Sequence, residues 1–366
     1  MYKVGKVEVH DKRGKSMDSS MADYLKVVTS YLPSELLSPN SSLHLQSLAQ
    51  ILPPFSSAML EFRLGADQSQ TDMSVFFTPR ILNLSETLLN HGVWQALQDF
   101  CQNCVEPTSL EHRYVKKIAL EFDLDEQQSQ VPIPSIFLFW NEGNVNDAQA
   151  LIEILFRLPN YLVSSKLQSN LQLCVNSLPQ GAKVEHIGAM LSRPGEVLRL
   201  IVGGIPPQQF SDYLMQIGWC ESTETISTLV SNLYGLVDEI RFLSFDIGDV
   251  IYPRVGLEFF LKKQPEHEPR WELFLDRLIE MGLCTPAKKN ALLAWSGISQ
   301  KADNPELWPQ NLSRGDRLLS SRASSVFWRT INHIKIVYQT DSPLEAKGYL
   351  TFSHQWIDAR TLTTSC

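Results

Sequence analysis

Polar and apolar residues alternate strictly along Arg254–Lys262. Val255, Leu257, Phe259 and Leu261 fall on one side, and Arg254, Gly256, Glu258, Phe260 and Lys262 on the other. Period two is the mark of a strand with two different faces. The residues before it, from Glu239, fold back on it, so Glu239–Lys263 reads as a hairpin. Four other stretches read the same way: Ala58–Thr78, Val115–Trp140, Lys183–Gly204 and Ile331–His354. In the first, Met59, Glu61 and Arg63 share one face and Leu60, Phe62 and Leu64 the other, with the turn beginning at Gly65. In the second, Ile118, Leu120, Phe122 and Leu124 oppose Lys117, Ala119, Glu121 and Asp123. The third turns at Arg193, Pro194 and Gly195. In the last, His333, Lys335 and Val337 alternate with Ile334, Ile336 and Tyr338, and Lys347, Tyr349 and Thr351 oppose Gly348, Leu350 and Phe352.

The stretches between hairpins carry helical spacing. Helices are predicted over Met21–Leu37, Ser41–Ile51, Ile81–Cys101, Val145–Leu158, Tyr161–Val175, Ser211–Ile217, Thr223–Val237, Arg270–Met281 and Pro286–Trp295. Ser299–Ser325 is polar with few apolar positions and predicts a loop. Hairpins recur about every 60 residues before a longer last interval, which is an internal structural repeat. Each hairpin has one face fit for helices and one fit for water or charge. The simplest closure is a ten-stranded antiparallel barrel with helices outside and the polar faces inside. Residues 1–20 read as a flexible lead and 21–366 as a single domain.

Composition narrows the function. The 366 residues are 43% hydrophobic and 20% charged, as in ordinary soluble globular proteins. A net charge of −8 argues against a nucleic-acid partner. No window approaches ~18 uninterrupted apolar residues, so no membrane span is expected. The polar N-terminus and only six cysteines fit the reducing cytoplasm. Cys101 and Cys104 form a C-x-x-C, but no second ligand pair stands at zinc spacing, so they read as small residues at a helix end. Neither a Gly-rich dinucleotide loop, a Walker loop nor a nucleophile elbow is present.

The inward faces would then gather Glu61, Arg63, Lys117, Glu121, Asp123, Arg199, Arg254, Glu258, Lys262, Lys335, Lys347 and Tyr349. Basic residues converging from several strands suit a phosphate-bearing ligand, with Arg as a bidentate donor and Lys as a point charge. Carboxylates among them suit proton handling or orientation of an N–H. The same residues also describe the solvated face of any half-exposed sheet.

Four short segments, in order, resemble the aromatic prenyltransferases of the dimethylallyltryptophan synthase type, whose fold is a barrel of αββα repeats. They are AMLEFRLG from Ala58, ALEFDLD with SIFLFW from Ala119, LSFDIGDVIYPRVGLEF from Leu243 and AKGYLTF from Ala346. The resemblance implies that Glu61 holds the N–H of an indole acceptor, that Asp246 and Arg254 belong to the site, and that Lys347 and Tyr349 flank the diphosphate. It departs from the family at Gly256 and Glu258, where Lys and Tyr are expected, and at Ser135 and Phe137, where Lys and Tyr are expected again. Arg63, Arg199, Lys262 and Lys335 are the basic residues available to take over.

The expectation is transfer of a prenyl group from an allylic diphosphate to an aromatic or peptide acceptor. Glu61, Asp246 and Glu258 are the candidate catalytic carboxylates. Arg63, Arg199, Arg254, Lys262, Lys335, Lys347 and Tyr349 are the candidate diphosphate-binding residues. Tyr349, Phe260 and Trp140 are candidates to face the allylic cation. No cofactor is required, with Mg2+ left open, and no dedicated metal site is expected. Two alternatives use the same barrel: acid/base or metal chemistry by Glu61, Glu121, Asp123 and Glu258, or non-catalytic ligand or peptide binding. Three or more basic groups facing one point favour prenyl transfer over both. For Glu61 a simple ion pair with Arg63, two residues on and on the same face, is the bland alternative.

Overall fold

Eleven strands make one sheet: β1 (Ser57–Arg63), β2 (Thr71–Phe77), β3 (Val115–Phe122), β4 (Ser135–Trp140), β5 (Lys183–Ala189), β6 (Leu198–Gly203), β7 (Glu239–Ile247), β8 (Ile251–Phe260), β9 (Gly297–Gln300), β10 (Ala323–Gln339) and β11 (Glu345–Asp358). They belong to a computed structural model that describes residues 19–66, 68–124, 131–140, 147–158, 163–192, 196–319 and 323–358. Most of the lead expected at 1–20, and the turn at Arg193, Pro194 and Gly195, lie outside the described residues.

Strands β1 to β8 pair in chain order, β8 pairs with β10, and β10 with β11. Pairing of β11 with β1 closes the circle, so the five predicted hairpins form one ten-stranded antiparallel barrel. β9 lies outside it, paired to the first part of β10.

The apolar faces turn outward as the alternation requires. Val255, Leu257, Phe259 and Leu261 are all buried in the layer between barrel and helices. Phe259 meets Phe274 of the helix Arg270–Glu280 at 5.6 Å between ring centroids. Trp94 of the helix Gly92–Val105 stacks on Phe122 of β3 at 6.2 Å. Each such side chain removed from water contributes roughly 1.5–3 kcal/mol, so this shell holds the barrel closed.

Several expectations need correction. The segment expected as a loop, Ser299–Ser325, contains the end of β9, the helix Gln310–Leu319 and the start of β10. That helix buries only Leu312, so its apolar stripe is too thin to register in the sequence. β10 also begins well before Ile331. A bulge between Ile331 and His333 breaks the alternation there and hides the earlier half of the strand. Ile81–Cys101 is not one helix. Leu82 and Leu84 are buried in chain that is neither helix nor strand, and helices follow at Glu86–Leu89 and Gly92–Val105.

Cys101 and Cys104 lie buried on the helix Gly92–Val105 as free thiols, and burial pushes the Cys101 thiol up to about 12. A thiol held protonated and out of solvent is a poor nucleophile. Both should therefore be modified by a thiol reagent far more slowly than the exposed Cys220; peptide mapping of the native protein after brief labelling checks this.

Candidate active site

The register that closes the barrel also assembles the charges. Across β1 and β11, Glu61 stands opposite Tyr349, and Arg63 opposite Lys347. Across β10 and β11, His333 faces Tyr349 and Lys335 faces Lys347. Glu258 of β8 opposes Lys335, and Arg199 of β6 opposes Asp246 of β7. Residues from six strands thus meet inside one lumen.

Most of the cations there are matched by carboxylates. Arg63 touches three of them: Glu61 at 2.6 Å, Asp72 at 2.9 Å and Glu345 at 3.0 Å. Lys347 Nζ lies 2.8 Å from Glu61 and 3.5 Å from Glu345. Arg254 reaches Glu345 at 3.8 Å. Arg199 grips Asp246 with two donors, Nε at 2.7 Å and one terminal nitrogen at 2.9 Å. Lys335 Nζ is 3.2 Å from Glu258, and His333 Nε2 is 3.5 Å from the same carboxylate.

A small cleft opens beside this network, lined among others by Arg199, Asp246, Arg254, Lys335, Lys347 and Tyr349. Six of the ten residues chosen from sequence therefore share one cavity. Glu61 lies behind it, holding Lys347 and hydrogen-bonded by Tyr349. Glu258 lies beneath Lys335.

Two of the ten are placed differently. Lys262 is exposed, two residues past the end of β8, with its backbone N–H on Asp238. The alternation continues in the sequence after the ladder has ended, so the pattern overran the strand. Arg63 does face the lumen, but its guanidinium is taken up by three carboxylates and it does not line the cleft. For Glu61 the ion pair with Arg63 left open by the sequence is present.

Aromatic rings line the lumen as a chain running strand to strand. Phe76 and Phe139 are 6.2 Å apart, Phe139 stacks on His186 at 4.4 Å, and His186 meets Phe242 edge-on at 6.0 Å. Phe242 and Phe260 follow at 5.5 Å, Phe260 and His333 stack at 4.9 Å, and His333 and Tyr349 stack at 4.1 Å. Lys117 Nζ sits 4.3 Å over the Phe76 ring. Tyr349 and Phe260 are in this chain as expected; Trp140 is not. Trp140 is in step with Ile136 and Leu138 and joins the outer core with them, while its neighbour Phe139 faces inward with Phe137. The two histidines, which the sequence did not single out, are legible only once Phe260 and Tyr349 are known to flank His333, and Phe139 and Phe242 to flank His186.

Burial sets the ionisation. It pushes His186 and His333 down to about 4, so both rings are neutral near pH 7. For Glu61, burial opposes ionisation, but Lys347 and Arg63 outweigh it and hold the carboxyl well below its usual range. Lys347 pairs with Glu61 and Glu345 but not with Asp72, and burial and the Glu61 charge push Asp72 up to about 7 against the pull of Arg63. Glu121, opposite Ser74 and Ser135, is likewise raised to about 7 by burial first and then by Glu61, with Arg199 opposing. Sequence placed Glu121 on the polar face but gave no sign that its neighbours across both ladders are serines and not cations.

That shift has a testable sign. A carboxyl near 4.5 in the unfolded chain and near 7 in the fold favours the folded state while protonated. The contribution is full below about pH 4.5 and is lost as the pH rises through about 7. Glu121→Gln has no such loss. Its stability relative to the unmodified protein should rise between about pH 5 and pH 8, as read by denaturant unfolding across that range; a flat difference would return Glu121 to an ordinary pKa.

Among the described residues, no group of three or more His, Cys, Asp or Glu side chains is arranged to hold a metal ion. No described helix is long and apolar enough to cross a membrane.

No family model and no curated protein matches this chain. Solved structures do. The apo form of prenyltransferase PriB is similar over 93% of this chain and 97% of its own, at 14% identity and a TM-score of 0.52. A 5-dimethylallyl tryptophan synthase from Streptomyces coelicolor, in complex with DMASPP and Trp, covers 90% of this chain and 93% of its own, at 15% identity and a TM-score of 0.46. The likeness to PriB shows the fold: this chain has the closed αββα barrel of that prenyltransferase, and the resemblance seen in its short sequence segments holds at the level of architecture.

Proposed function

We propose that the protein transfers a prenyl group from an allylic diphosphate to an electron-rich aromatic or peptide acceptor inside the barrel. The observation that carries this is the convergence of Arg199, Arg254, Lys335 and Lys347, with Tyr349, on one cleft. Four cations at one point exceed the three that separate an anion site from a carboxylate site, and the fold is that of a prenyltransferase.

In this scheme the C–O bond of the allylic diphosphate breaks and its electron pair leaves with the diphosphate. Arg and Lys side chains set where that negative charge develops lower the barrier. Glu61, Asp246 and Glu258 act by position: each carboxylate holds a cleft cation in place. The allylic cation then lies against the rings of Phe242, Phe260, His333 and Tyr349, whose π faces attract positive charge. Neutral imidazoles suit that wall, since protonated ones would repel the cation. The acceptor carbon forms its new bond to the prenyl carbon, and its proton passes to Glu121, whose pKa near 7 matches a base working at neutral pH. The closed barrel keeps water from capturing the cation.

The test is ligand-induced stabilisation with a series of prenyl diphosphates, with and without Mg2+. A rise in melting temperature that depends on the diphosphate and grows with one preferred chain length is expected. No shift with any of them, at concentrations that saturate such sites, would sink the proposal.

A further inference from the structure

Gly256 lies in the lining of the cleft, on β8 beside Lys335 of the neighbouring β10. By register Lys335 stands opposite Glu258, and Gly256 stands opposite Val337. The Lys335 side chain does not stay on its own rung. A Cβ built on Gly256 would collide with Lys335 Cε, would lie 2.6 Å from Ser244 Oγ and would be 3.2 Å from Lys335 Nζ. The lysine stem therefore crosses β8 through the space that any other residue at 256 would fill. It is almost fully buried, and Glu258 is the carboxylate at its ammonium. An ammonium is costly to bury without partners, yet this one is steered to the cleft wall and not to solvent.

We infer that Gly256 is a positioning residue: its missing side chain is the slot that lets Lys335 deliver its charge to the cleft as a ligand of the diphosphate leaving group. The inference rests on the prenyl-diphosphate reading above. It deepens that reading by naming how β8, which has no basic side chain at this level, still presents one. Glu258 orients the ammonium from below, and Arg254, two residues before Gly256 on β8, and Lys347 of β11 complete the anion site.

The experiment is a double-mutant cycle read by calorimetric titration of inorganic diphosphate, with melting temperatures recorded for every variant. Gly256→Ala should weaken binding about tenfold or more, because the new methyl evicts the lysine. Lys335→Met, which keeps the stem and removes the charge, should weaken it roughly thirty-fold or more. Paired with Glu258→Gln, the same change leaves no orphaned carboxylate and so separates binding from folding. Adding Gly256→Ala to Lys335→Met should cost nothing further, and Gly256→Lys in the Lys335→Met background should recover much of the affinity. Equal costs of Gly256→Ala with and without Lys335, or undiminished binding in Lys335→Met, overturn the inference while leaving the diphosphate reading intact. Failure of the unmodified protein to bind diphosphate overturns both.

Discussion

Arg63→Ala should destabilise the protein by about 3–5 kcal/mol, the usual cost of removing one partner from a buried ionic network. Arg63 is 8% exposed and joins Glu61, Asp72 and Glu345. Without it, those three carboxylates face one another with Lys347 and Arg254 as their remaining cations at Glu61 and Glu345. Asp72 loses the cation at 2.9 Å and keeps the Leu124 N–H. The deficit depends on pH with a definite sign. Losing this cation pushes Asp72 higher still and lets Glu61 rise from its depressed range, so protonation relieves the strain. The loss should be largest near pH 8 and shrink toward pH 5. Urea unfolding at both values measures it. A loss below about 1 kcal/mol at pH 8, the range of an exposed pair, would mean that water reaches the cluster.

The second large effect is on binding. Arg254→Ala should weaken a prenyl diphosphate by roughly 2–5 kcal/mol, the range for a charged contact in a desolvated site. Arg254 lines the cleft beside Arg199, Lys335 and Lys347, with Glu345 3.8 Å from its guanidinium. Its 32% side-chain exposure places the effect toward the lower end of that range. Melting temperature without ligand should change little, in contrast to Arg63→Ala. Titration with a non-hydrolysable prenyl diphosphate analogue separates the two residues. Equal affinity in Arg254→Ala would remove Arg254 from the anion site.

Those two arginines show how far the sequence reached. Both sit on polar faces of strictly alternating strands, and alternation sufficed to send Arg63, Arg254, Glu61 and Lys347 into one lumen and Val255, Leu257 and Phe259 under the helices. What alternation does not hold is partnership. Glu345 belongs to β11, and it reaches Arg63 only because β11 closes the barrel onto β1, a pairing between opposite ends of the chain. The division of arginines into structural and anion-facing ones was therefore out of reach.

Trp140 stands in step with Ile136 and Leu138 on the outer face, so alternation itself argues against a lumen role for it, and a bulge conceals the first half of β10. Lys262 shows the opposite error, a pattern that outlasts its ladder. The compensation at Gly256 was invisible for a further reason. A glycine on a strand reads as a gap, and only the path of Lys335 shows that the gap is occupied.

The direct test of prenyl transfer is release of inorganic diphosphate from dimethylallyl diphosphate and its longer homologues, followed over time with tryptophan, tyrosine and short aromatic peptides as acceptors, and with mass analysis of each acceptor. Acceptor-dependent release, matched by a prenyl-mass increase on the acceptor and lost in Arg254→Ala and Lys335→Met, is the expected result. Diphosphate that binds in the cleft but is never released with any acceptor would contradict prenyl transfer and leave a barrel that only holds its ligand.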